Sequence, residues 1–63
     1  MEKLFASALE LKQRTQVTSL FAMNGFKIID TDFDQVIFER LGTKIQVHFD
    51  RSANARALAV LDS

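Results

Sequence analysis

The chain has 63 residues: eight basic and eight acidic side chains, one His, six Phe and two Gly, with no Cys, Pro, Trp or Tyr, and 48% of it is apolar. That length allows one domain, residues 1–63, and excludes disulfides or a Cys-rich metal site as staples, so packing or self-association has to supply what a small core lacks. Zero formal charge excludes strong whole-molecule attraction to nucleic acid or anionic membrane, and also a nucleic-acid mimic, which needs a dense acidic face.

From Glu2 to Asn24 there is no Gly or Pro, and Leu4, Phe5, Ala8, Leu9 and Leu11 recur at helical spacing. Past the polar run Lys12 to Gln16, the apolar Val17, Leu20 and Phe21 fall on another side, rotated by roughly 140°. The spacing therefore predicts either a break near Thr15, which would cap a second helix, or one long helix whose ends serve different partners, a second copy included. The break is the preferred reading. Asn24-Gly25 supplies the stop, because these residues readily take the left-handed conformation that ends helices.

Phe26 to Asp30 alternates as a strand, with Phe26 and Ile28 on one face and Lys27 and Ile29 on the other. A turn over Thr31 to Asp34 leads to the clearest signal of the chain, Gln35 to Asp50, where two alternating runs meet as a β-hairpin. A two-residue type II′ loop at Gly42-Thr43 sets Phe38 against Val47, Val36 against Phe49 and Arg40 against Ile45 on the core face. It sets Ile37 against His48, Glu39 against Gln46 and Leu41 against Lys44 outside. Ser52 to Leu61 is Ala-rich and reads as a short closing helix capped by Ser52, with a fourth strand as the competing reading because Arg56 to Val60 also alternates. The expected class is α+β: an N-terminal helix or helix pair, a three-stranded antiparallel β-meander and a short C-terminal helix or fourth strand.

Chemistry is sparse. His48 is the one side chain with a natural pKa near neutrality, but no Cys or neighbouring Ser accompanies it, and a base needs a third group to orient it. Asp30, Asp32 and Asp34 have the spacing that opens a calcium loop, yet Gln35 stands where that loop needs Gly and Leu41 where it needs Glu. Gly25 and Gly42 are too few for a phosphate loop. Catalytic, metal and cofactor-binding residues are therefore all expected to be none, and the protein is not expected to be an enzyme. The first helix offsets Lys3 and Lys12 with Glu2 and Glu10, so core packing rather than membrane binding accounts for its apolar stripe. With no signal segment or long apolar span, the expected location is cytoplasmic.

The order helix, three strands, helix resembles that of double-stranded-RNA-binding domains, which would make Arg51 and Arg56 the nucleic-acid residues. That family, however, opens its closing helix with a lysine cluster, whereas this chain reads Ser52-Ala53-Asn54-Ala55-Arg56. The favoured expectation is a small protein-binding module or inhibitor, of the kind phages and mobile elements carry as accessory proteins, and able to form a homodimer. Its partner surface is expected either at Ile29, Ile37, Leu41 and His48, or on the Val17 to Met23 side that includes Phe21. A structural subunit of a larger assembly is the remaining alternative.

Overall fold

The structure, a computed structural model, describes residues 2–62. Two helices, α1 (Glu2–Leu11) and α2 (Arg14–Met23), precede four strands, β1 (Lys27–Thr31), β2 (Gln35–Arg40), β3 (Thr43–Phe49) and β4 (Ala55–Asp62). The strands form one antiparallel sheet in the order β1-β2-β3-β4, a plain meander. Both helices cover one face of it and leave the other bare, an arrangement antiparallel sheets tolerate.

The break between the helices falls at Lys12-Gln13, not at Thr15. Lys12 takes a left-handed backbone (φ 67°), and the Gln13 N–H closes a tight turn onto the Leu11 carbonyl at 2.8 Å. Gln13 occupies the N-cap position of α2 without a side-chain cap. The uncapped end is served from across the fold: the Arg14 N–H donates to Ala53 O (2.9 Å), and the Ala55 N–H donates to Lys12 O (2.6 Å). At the other end Gly25, at φ 85°, closes α2 as expected, with the Phe26 N–H bonded to Phe21 O and the Gly25 N–H to Ala22 O.

This break re-aims α2, so Val17 and Phe21 point into the same core as Ala8 of α1. All three are fully buried, which corrects the expectation that Val17 and Phe21 lie on a partner surface. Phe21 stacks on Phe38 with ring centroids 4.4 Å apart and meets Phe26 edge-on at 5.2 Å. Val36, Ile45, Val47, Phe49 and Ala55 complete the core. Burying a ring such as that of Phe21 is worth about 1.5–3 kcal/mol. Ile28, expected in this face, does lie opposite Phe38 but is 48% exposed, because β1 is an edge that neither helix covers.

The hairpin forms with a different loop. Leu41 (φ 51°) and Gly42 (φ 86°) are the two loop residues, so Phe38 pairs with Ile45, Val36 with Val47 and Ile37 with Gln46. Left-handed backbone at both positions marks a type I′ turn rather than II′, and Gly suits its second position. The register differs from the expected one by two residues, which leaves the inward and outward sets unchanged. The closing segment is a strand and not a helix: Ala55–Asp62 pairs with β3, while Ser52 lies in the turn before it and caps nothing. Without that closing helix, the chain's order of elements departs from the double-stranded-RNA-binding pattern.

Candidate protein-binding surface

At one end of the sheet a side chain from α2 crosses to the turn from β1 to β2. Arg14, the first residue of α2, reaches across with its guanidinium and donates to Phe33 O (2.9 Å), Asp32 O (2.7 Å) and Thr31 Oγ1 (3.0 Å). The same guanidinium lies over the Phe49 ring at 5.1 Å, a cation–π contact. Asp32 Oδ1 accepts the Phe33 N–H at 2.7 Å, the Asp32 N–H donates to Gln35 O, and the Phe49 N–H donates to Asp34 O. All but the Thr31 Oγ1 bond fix backbone, and none involves the Phe33 side chain, which is 89% exposed. Close to it along the chain are Asp30, Asp32 and Asp34, all exposed. The turn presents an exposed aromatic on a clamped backbone, with acidic residues beside it in the chain.

The residues singled out from the sequence do not gather into one cluster. Ile37 is half-buried on the helix-free face opposite Gln46, while exposed His48 lies opposite Gln35 on one side and Ala57 on the other. Gln46 also bonds to Gln35 through their side-chain amides. Ile29 occupies a bulge between the Ile28–Phe38 and Asp30–Ile37 pairs, so it adjoins Ile37. Leu41 is carried off the sheet to the hairpin tip and is 96% exposed. On the outer side of the helices, Leu11, Leu20 and Met23, with Thr15, Gln16 and Ser19, line an open groove of about 330 Å³.

Arg51 and Arg56 flank a carboxylate rather than forming a basic patch. Asp50 Oδ1 accepts the N–H groups of Ser52 (2.9 Å) and Asn54 (3.0 Å), and its Oδ2 accepts Arg56 Nε at 2.8 Å. These donors, the Asn54 N–H foremost, hold the Asp50 carboxyl below its ordinary value of 3.8. Its role is to shape the β3–β4 turn. Among the described residues no three His, Asp or Glu side chains converge as a metal site, and no helix is long and apolar enough to cross a membrane. Asp32 instead serves its own turn.

Phe33 and Arg14 are the residues that sequence reasoning passed over. A lone large apolar residue inside the polar run Thr31 to Asp34 was the available signal for Phe33. Nothing local marks Arg14, whose role depends on contacts 17 to 19 residues away. Compared with protein-family models, curated proteins and solved structures, the chain matches none.

Proposed function

We propose that this chain is a small protein-binding module that works by contact, or an inhibitor where its partner is an enzyme, and that Phe33 is its anchor. The supporting observation is the Arg14 clamp: three hydrogen bonds and a cation–π contact hold a turn whose one large apolar side chain is left in water. A pre-ordered turn backbone gives up little conformational freedom on docking, and Phe, Tyr and Trp rings dominate interface cores. The complementary partner has an apolar pocket rimmed by Lys or Arg to meet Asp30, Asp32 and Asp34. A role without chemical turnover accords with His48, whose opposite neighbours Gln35 and Ala57 supply no charge to orient a base. The Cys-free composition suits a reducing compartment, and we place the protein in the cytoplasm.

The test is affinity capture from a lysate of the source organism with nuclease present, comparing the wild-type chain with Phe33→Ala. The wild type is expected to retain a stoichiometric protein, and the variant to lose it by about 30-fold or more in affinity, the effect of a hot-spot residue worth at least ~2 kcal/mol. Thermal melting of the two chains is expected to agree. Undiminished capture by Phe33→Ala overturns the reading.

A further inference from the structure

The two outer strands of the sheet differ in a way that bears on self-association. β1 is short, broken by the Ile29 bulge and bordered by Lys27 and Asp30, all devices that blunt an edge against pairing. β4 has none of this shielding in its middle: it runs eight residues, and between its irregularities at Arg56 and Leu61 the stretch Ala57 to Val60 is regular and uncharged. Its outward N–H and C=O groups face away from β3, with no further strand beside them among the described residues. Val60 and Leu61 are each half exposed on it.

We infer that the free edge of β4 is an interface for a second copy of this chain, paired antiparallel about a two-fold axis at Ala59. The sequence of the strand carries the argument. Arg56-Ala57-Leu58-Ala59-Val60-Leu61-Asp62 is a chemical palindrome: read against itself about Ala59, Arg56 meets Asp62, Ala57 meets Leu61 and Leu58 meets Val60, each twice. Aliphatic pairs placed directly across an antiparallel ladder stabilise it, and the Arg56 and Asp62 ends, which flank the regular stretch at its two irregularities, bring opposite charges near each other. Sliding the axis by one residue, to Leu58 or Val60, sets Arg56 against Val60 or Leu58 against Asp62, so the complementarity belongs to one register. Arg56 has donors to spare, because only its Nε engages Asp50.

This axis stands perpendicular to the sheet, which keeps the helices of both copies on the same side. α1 packs over β4, so the two α1 helices meet across the axis. Leu11 lines the groove beside α2, and Leu9 lies about 160° around the helix from it, on the flank turned from α2. The partly exposed Leu9 thereby gains apolar neighbours from the second copy. The interface is separate from the Phe33 turn, which joins β1 and β2 near the opposite edge.

The absence of Cys makes the register directly measurable. In the inferred dimer the two Ala59 residues face each other at about 5 Å between Cα atoms, within disulfide range. The two Ala57 residues are about 14 Å apart, beyond it. Both positions are exposed on the helix-free face, so Cys at either leaves the core untouched. Sedimentation equilibrium of the wild-type chain is expected to show a doubling of mass with concentration and no larger species. Ala59→Cys is expected to cross-link under mild oxidation, and Ala57→Cys is not. A chain monomeric throughout, assembly beyond the dimer, or an Ala57→Cys variant that cross-links as readily as Ala59→Cys overturns the inference.

Discussion

Leu41 holds a backbone conformation that its own side chain disfavours. At φ 51° it occupies the first loop position of a type I′ turn, and its side chain projects into water with 96% exposure. A left-handed L-residue other than Gly, Asn or Asp costs about 1–2 kcal/mol, and nothing in the core repays it. Leu41→Asn is therefore expected to raise stability by about 1 kcal/mol, read as a higher urea midpoint at unchanged slope. The same misfit makes the turn's position hard to read in the sequence: Gly42 marks a turn, but Leu41 carries no sign of being its other half, and the pattern points to Thr43 instead. Phe21 is the opposite case, a side chain fully repaid by its surroundings, stacked on Phe38 and edge-on to Phe26. Phe21→Ala is expected to cost about 3–5 kcal/mol, comparable to the whole stability of a chain this size, and so to abolish the cooperative thermal transition.

The turn from β3 to β4 is organised by one carboxylate, which gives that element a pH signature. Asp50 titrates below 3.8 in the fold because the Asn54 and Ser52 N–H groups and Arg56 favour its ionised form. Its contribution is thus present in full above the unfolded value and is lost as pH falls through the lower folded one. Wild type is expected to exceed Asp50→Asn in stability at neutral pH, with the gap closing below about pH 4, as urea titrations across that range would show. β4 itself was ambiguous in the sequence, since Ala favours helix while Arg56 to Val60 alternates. What decided it was tertiary: an unpaired β3 stood ready, and Ala55, Leu58 and Val60 fall opposite Phe49, Val47 and Ile45. The clamped turn before β2 was illegible for a related reason, because an Arg at residue 14 and a turn at residue 33 meet only in the finished fold.

At the scale of the molecule, the α+β class, the meander of β1 to β3 and the inward residues Phe26, Phe38 and Phe49 were readable because period-2 alternation survives a two-residue register shift. The helix break was half readable: the change of side between Leu11 and Val17 demanded one, but its position at Lys12-Gln13 depends on backbone partners at Ala53 and Ala55. Those two hydrogen bonds tie the first third of the chain to the last. The Arg14 and Ala55 amides are accordingly expected to exchange with solvent at a common rate, set by opening of the whole molecule and not of a local segment. A chain cut after Ser52 lacks both acceptor and donor for the bridge, together with all of β4, and is expected to lose its sharp melting transition. During synthesis the same dependence orders events in time. The helices emerge first but have no completed junction until residue 55 is free to reach them, so the native state is expected to form only once the last strand is available, and a product terminated before it is expected to stay open to proteolysis.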